Sequence, residues 1–385
     1  MRKYYTITIL FLLQMIAAFE MSGLLSIGAH IIKSFGAEGS MVMYLSIGAY
    51  AVGFFSPFCG NYADKYGRKK FLLISLIFFA AGSVCIIISH NLIQFIISRA
   101  LTGFFVYTAN ATILSYLGDI FPYENRGKVF GIIRVAFACG IILSPVYTTQ
   151  ITLNYGLDML YKLYIVYAII LSIALIFIPE VKAEDSNEII KISDIKQIVK
   201  DKVARNFIIV QCLLTFTGTG VFGYLSVHIM NVLNNTITQS GYAYTAGGVG
   251  TIIAAFASVI LLDKVDRFKY AKIVFILVIL VILPLSFVKI PLLYVCMFLF
   301  SLFLDSAWPV FQLLSSEVVP DRKSTFMSIL AGLISITNIS VVFIGRILYN
   351  FGGFRIMNII GSILMLISTC IIFVTIKKYK NRLAG

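Results

Sequence analysis

Long apolar runs separated by short polar breaks are the dominant pattern of this chain. A helix needs about 20 mostly apolar residues to cross a bilayer. Windows of that kind fall at 6–32, 40–59, 71–89, 92–115, 127–153, 159–179, 206–232, 240–262, 270–288, 291–315, 325–349 and 353–376. The pattern predicts an all-α membrane protein of twelve transmembrane helices with both ends on one side. One break is longer than the rest, from Pro179-Glu180 through Arg205, with charges of both signs and few aromatics. It divides the spans six and six. The expected domains are an N-terminal six-helix bundle over 1–180, a linker over 181–204 and a C-terminal six-helix bundle over 205–385. Within the linker, Ile189, Ile190, Ile192, Ile195, Ile198 and Val199, with Lys196 and Lys200, suggest a short amphipathic helix lying at the membrane interface.

Composition supports the same class. The 385 residues are 59% hydrophobic and 12% charged, whereas soluble domains carry about 25% charged residues. The net charge of +14 does not point to nucleic acid, because the cations sit in the short polar breaks and form no basic amphipathic face. Of the 31 lysines and arginines, only Lys33, Lys162, Lys289, Arg346 and Arg355 fall on the side opposite the N-terminus, and Arg99 and Arg134 lie inside spans. The positive-inside rule therefore expects both termini and the linker to be cytoplasmic; the location expected is the plasma (inner) membrane of a bacterium. Cys59, Cys85, Cys139, Cys212, Cys296 and Cys370 are scattered singly through apolar runs and read as small buried residues, not as a disulfide or metal framework. The apolar run after Met1-Arg2-Lys3 is too long for a signal peptide and is expected to remain as the first span.

The densest polar break is Gly60-Asn61-Tyr62-Ala63-Asp64-Lys65-Tyr66-Gly67-Arg68-Lys69-Lys70. A sharp turn between two helices explains its glycines; a solvated basic loop explains only its cations. The second half echoes it, with Asp263-Lys264-x-Asp266-Arg267 repeating Asp64-Lys65-x-Gly67-Arg68, and Glu317 and Pro320 repeating Asp119 and Pro122. The pattern G-x-x-x-D-K-x-G-R-K resembles the signature between spans two and three of the major facilitator superfamily of secondary transporters. That resemblance implies two pseudo-symmetric six-helix bundles around a central cavity. It also implies a cytoplasmic gate made by Gly60, Asp64, Lys65, Gly67, Arg68 and Asp119. In that gate Arg68 pairs with Asp119, and Asp64 meets the start of span eleven at Ser324-Thr325.

Inside the spans the chain carries two acids, Glu20 and Asp305. A charge at the bilayer centre costs about 2.5–3.5 kcal/mol on insertion scales, so each must face the bundle interior, pair or take up a proton. Glu20 stands among Leu13, Ile16, Leu24 and Ile27 on one helical stripe. It reads either as a proton-coupling acid or as a permanent partner of Arg99 or Arg134. Arg99-x-x-x-Gly103 resembles the family's span-four signature, and helical spacing puts Arg99, Gly103, Val106 and Asn110 on one stripe. The resemblance implies that Arg99 tunes proton release or orders the core; the alternative is an arginine snorkelling to the outer interface. Gly140 through Thr149 resembles the span-five signature G-x-x-x-G-P-x-x-G-G of the antiporter branch. Here Gly140 and Pro145 are kept, while Ser144, Thr148 and Thr149 replace glycines. Arg134 precedes that stretch. In span ten, Asp305 shares a face with Pro309 and Gln312, beside Trp308. The acid, amide and indole read either as a cavity for a cationic or polar solute or as a satisfied polar anchor.

Two further patterns carry no chemistry. Gly218-x-Gly220-x-x-Gly223 spells a dinucleotide fingerprint but lies within a span, with no acid between Asp201 and Asp263 to bind a ribose. It is expected to be a packing face, as is Gly247-Gly248-x-Gly250. His30, His90 and His228 have no metal-site spacing, and His228 reads as an interface residue near the outer end of span seven.

The expected function is transport of a small solute, not catalysis. Proton-coupled efflux of an amphipathic or cationic solute is the first reading, and uptake or exchange of a nutrient such as a sugar is the second. A non-transporting sensor or a membrane-embedded enzyme is the reading from another class. Glu20, Arg99 and Asp305 are the proton-coupling candidates; Asn110, Arg134, Trp308 and Gln312 are the cavity candidates. No cofactor or metal is expected beyond a proton gradient, and the partners expected are protons, the solute and lipid, with a monomeric chain.

Overall fold

The computed structural model describes residues 2–121, 123–180, 197–261, 265–316, 318–319 and 323–383. Twelve helices account for nearly all of it. They are α1 (Arg2–Ser34), α2 (Ile47–Tyr66), α3 (Arg68–Ile87), α4 (Leu92–Ile120), α5 (Tyr123–Tyr155), α6 (Leu157–Ile176), α7 (Lys202–Val227), α8 (Ile237–Leu261), α9 (Arg267–Ile282) and α10 (Leu292–Ser316). The last element, Lys323–Leu383, is broken at Gly352 and Gly353, whose backbone angles are not helical. It therefore comprises two helices, α11 (323–351) and α12 (354–383). Nine stretches of the described residues are long and apolar enough to cross a membrane; one of them, Ile329–Thr375, holds parts of both α11 and α12. The fold is the expected all-α one. In the bilayer only closed backbone hydrogen bonding is tolerated, which leaves helices as the solution for such a chain.

The helices begin and end where the sequence supplies caps. Asn91 accepts from Gln94 N at 2.9 Å and starts α4. Asp201 accepts from Val203 N and Ala204 N and starts α7. Each satisfies main-chain donors that a helix start leaves without partners. Most of the Gly60–Lys70 stretch is helix, not loop: α2 runs to Tyr66, α3 begins at Arg68, and Gly67 alone joins them at φ 103°. A β-carbon is strained at that angle. Span two also starts earlier than its α-helix, through a 3-10 segment Gly39–Ser46.

Packing divides the chain into two compact units: Met1–Asn187 with Ile229–Thr245, and Glu188–His228 with Ala246–Gly385. In the first, α1 packs on α5 and α3 packs on α4 and α6. Glycines set the closest approaches. A Cβ on Gly103 of α4 would stand 2.5 Å from Ala49 of α2, and one on Gly140 of α5 would stand 2.6 Å from Met15 O of α1. Lipid tails are as apolar as leucine, so such close contacts, more than burial, hold helices together in a bilayer. The N-terminal part of α8 joins this unit: Ser240 Oγ donates to Ser26 O at 2.8 Å and Thr245 Oγ1 to Ile142 O at 3.1 Å. In the second unit α7 packs on the α11–α12 element and α9 on α10.

The glycine patterns dismissed as chemistry are packing faces. Gly218 and Gly220 lie against Leu304 and Met357, and Gly250 lies against Phe298 O. His228 is corrected: it is buried, its ring stacked on Phe354 at 4.6 Å, and is not an interface residue. Of the cysteines only Cys296 is buried; Cys370 is exposed and the other four are half-buried. The expected amphipathic helix of the linker lies outside the described residues except at 197–200, which are helical. Pro122, Asp263, Lys264, Glu317 and Pro320 lie outside them as well.

Candidate functional site

Glu20 and Arg99 meet in the interior of the first unit as an ion pair between α1 and α4. Glu20 is 1% exposed and Arg99 3%. The guanidinium has other partners: Nε donates to Leu45 O at 3.3 Å and Nη1 to Thr102 Oγ1 at 2.9 Å. The phenols of Tyr107, Tyr161 and Tyr164 lie within electrostatic reach of it. Tyr50 rests edge-on against Tyr107 at 6.2 Å, and Tyr161 against Tyr164 at 5.6 Å. Arg99 therefore does not snorkel outward. It is held by one carboxylate, one carbonyl and one hydroxyl. A buried pair of this kind survives only when its remaining donors are also answered. Of the two arginines open to Glu20, the structure brings Arg99; Arg134 is exposed, its guanidinium over the Phe137 ring at 5.9 Å.

The helix turn beside Glu20 is fastened to the altered span-five stretch. Pro145 lacks an N–H, which frees the carbonyl four residues earlier, that of Ile141. Ser22 Oγ donates to it at 3.3 Å. Ser144 Oγ donates to Phe19 O, the residue before Glu20. Ser26 Oγ and Thr148 Oγ1 share a hydrogen bond at 3.3 Å. Where glycines are missing from α5, the facing helices supply them. A Cβ on Gly23 of α1 would clash with Thr148 and Ser144, and one on Gly241 of α8 would stand 2.6 Å from Thr149 Oγ1. The close approach is kept, with its small residue moved to the opposite partner.

At the α2–α3 junction, Arg68 Nη1 pairs with Asp119 Oδ2 at 2.6 Å, joining α3 to the end of α4. Lys69 Nζ donates to Ile176 O and Ile178 O at 2.7 and 2.8 Å, where it answers carbonyls left open at the end of α6. Tyr116 OH donates to Pro179 O, and the Glu180 carboxylate occupies the space a side chain at 67 would need. The side chains of Asp64, Lys65, Ser324 and Thr325 lie outside the described residues, as do the surroundings of Gly60.

In the second unit Asp305 is half-buried and accepts from Thr251 Oγ1 at 2.5 Å. Trp308 is half-buried, while Gln312 is exposed, as is Asn110 on α4. Asn110 thus does not share the burial of Arg99 and Gly103 despite the common stripe. Among the described residues no group of three or more His, Cys, Asp or Glu is placed to hold a metal ion. Sequence reasoning missed Thr102, the phenols around Arg99, Thr251, Lys69's helix-capping role and Glu180. The Tyr161-x-x-Tyr164 spacing on α6, which puts both rings on one helix face, was the available signal for the phenols.

A family model described as Major Facilitator Superfamily matches residues 10–291 and 208–384. The chain is 36% identical over 96 residues to multidrug resistance protein 3 of Bacillus subtilis (strain 168), covering 25% of this chain and 19% of that protein. It is 25% identical over 264 residues to the galactose-proton symporter of Escherichia coli (strain K12), covering 59% and 55% of the two. The chain thus spans between 19% and 55% of the length of these relatives. The crystal structure of a D-xylose-proton symporter superposes with a TM-score of 0.77 at 15% identity, covering 96% of this chain and 97% of that one.

Proposed function

The chain belongs to the Major Facilitator Superfamily, a family of membrane transporters, and on that premise we propose that it is a proton-coupled exporter of a small amphipathic or cationic solute working by alternating access. The observation that carries the proposal is the Glu20–Arg99 pair buried within the first unit. Protonation of Glu20 removes its charge and releases its hold on the guanidinium. Arg99 is not then stranded, since Leu45 O and Thr102 Oγ1 already accept from it. The pair therefore has two tolerable states, which a coupling device requires. Deprotonation restores the charge pair and draws α1 and α4 together again.

The Arg68–Asp119 pair supports a gate at the α2–α3 junction, to which Gly60, Asp64, Lys65 and Gly67 also contribute in this reading. The charge distribution supports cytoplasmic termini. Asn110, Gln312 and Trp308 are the candidates for contact with the solute. Similarity to a multidrug resistance protein favours export. The second reading, uptake of a sugar or other nutrient with protons, is favoured by the longer match to the galactose-proton symporter.

Solute uptake into everted membrane vesicles tests the proposal. We expect accumulation that collapses when the proton gradient is dissipated. Accumulation only in right-side-out vesicles would select the uptake reading, and accumulation indifferent to the gradient would refute proton coupling.

A further inference from the structure

We propose that the second unit holds a binding site for one alkali cation, built between α8 and α10. Gly247 and Thr251 stand one turn apart on α8, and Ser301 and Asp305 stand one turn apart on α10. The two pairs face each other. Thr251 Oγ1 lies 2.5 Å from Asp305 Oδ2 and 3.2 Å from Gly247 O. A Cβ at Gly247 would stand 2.8 Å from Ser301 Oγ. Gly250, three residues beyond Gly247, brings the α8 backbone onto Phe298 O and Leu302 N of α10. That approach sets the Asp305 carboxylate against the Thr251 hydroxyl, with the Ser301 hydroxyl against Gly247 one turn away.

These are hard oxygen donors, the set that suits alkali and alkaline-earth ions and not softer metals. The single carboxylate decides between them. The donor set itself holds one carboxylate among otherwise neutral oxygens, so its own formal charge matches a monovalent ion. A proton on Asp305 would balance it equally well but would leave Ser301 unanswered. Ser301 is fully buried, and its Oγ has no hydrogen-bond partner among the described residues. A buried hydroxyl in that condition is costly. A cation seated between the helices takes lone pairs from Ser301, Thr251 and Asp305 together, and the Thr251 proton remains available to the carboxylate. The site shares no residue with the Glu20–Arg99 pair and does not rest on the export reading.

The thermal unfolding midpoint of the full chain in detergent, measured in sodium, potassium and choline chlorides at equal ionic strength, tests the site. Binding of radioactive sodium to the same protein accompanies it. We expect saturable stabilisation by sodium over choline, abolished in Asp305→Asn and weakened about tenfold in Ser301→Ala, on the scale of losing one oxygen partner at a metal site. We also expect it to be retained in Glu20→Gln. An equal response to the three salts would overturn the site. So would a sodium response unchanged in Ser301→Ala, or a response to pH alone. If Asp305→Asn does not fold, Thr251→Val takes its place with the same expected loss.

Discussion

Glu20 of the first unit is closed from solvent and set against an arginine, whereas Asp305 of the second is half-buried and held by a threonine hydroxyl. The α2–α3 junction and its echo differ in the same way. In the first unit Gly67 serves as the whole connection at φ 103°, and Arg68 behind it pairs with Asp119. In the second, Asp266 stands in the glycine's place at φ −54° and caps α9, accepting from Phe268 N and Lys269 N at 2.8 and 3.0 Å. At the places compared, the first unit carries charge pairs, and the second carries hydrogen bonds from a hydroxyl and from main-chain N–H groups to a carboxylate. A repeated fold does not imply repeated chemistry, and a buried charge pair has more to lose from a single substitution than a hydroxyl bond or a cap.

The largest expected effect follows from that asymmetry. Arg99→Ala strands the Glu20 carboxylate and should cost about 3–5 kcal/mol, the usual penalty for breaking a buried pair from one side. Adding Glu20→Gln should recover most of it, since both charges are then gone. Asp305→Asn, whose amide oxygen still accepts from Thr251, should cost about 1 kcal/mol or less. Thermal unfolding in detergent would compare the three, and equal losses in the two units would erase the contrast. A smaller effect is expected at the junctions. Gly67→Ala places a β-carbon at positive φ and against Glu180, at about 1–3 kcal/mol. Asp266→Ala loses only a cap, at about 1 kcal/mol. If the second proves the more damaging, the tight turn is not what the glycine provides. The smallest effect is that of Ser144→Ala, which removes one hydrogen bond to Phe19 O, about 0.6 kcal/mol on the scale of membrane interhelical bonds. Its interest is local: it tests whether the α1–α5 fastening sets the position of the turn that carries Glu20.

The twelve helices were legible in the sequence because the bilayer permits so few alternatives. Every apolar window corresponds to a helix, and the errors fall at the ends, where α2, α4, α5 and α12 continue past their apolar stretch. The acids were legible for the same reason, since an ionisable residue stands out in a span. Which arginine met Glu20 was not legible, because it depends on how α1 crosses α4, and periodicity along one helix says nothing about its angle to another. The span-five substitutions read as a departure when taken alone. Their complements, Gly23 and Gly241, lie on other helices, and only packing relates them. The roles of Glu180 and Lys69 escaped notice because a charged residue at a helix end is ordinary in sequence; Lys69 meets main-chain carbonyls and Glu180 fills the space beside a glycine, and neither partner carries a residue-specific signature.

The central claim is that the Glu20 carboxylate carries the coupled proton. It is tested most directly by Glu20→Gln reconstituted in proteoliposomes beside the unaltered protein, with gradient-driven accumulation and solute exchange at equilibrium measured in the same preparation. We expect accumulation to fall to the level of empty liposomes while exchange persists, because the neutral side chain mimics the protonated state and permits movement without coupling. Undiminished accumulation driven by the proton gradient in that variant would contradict the account.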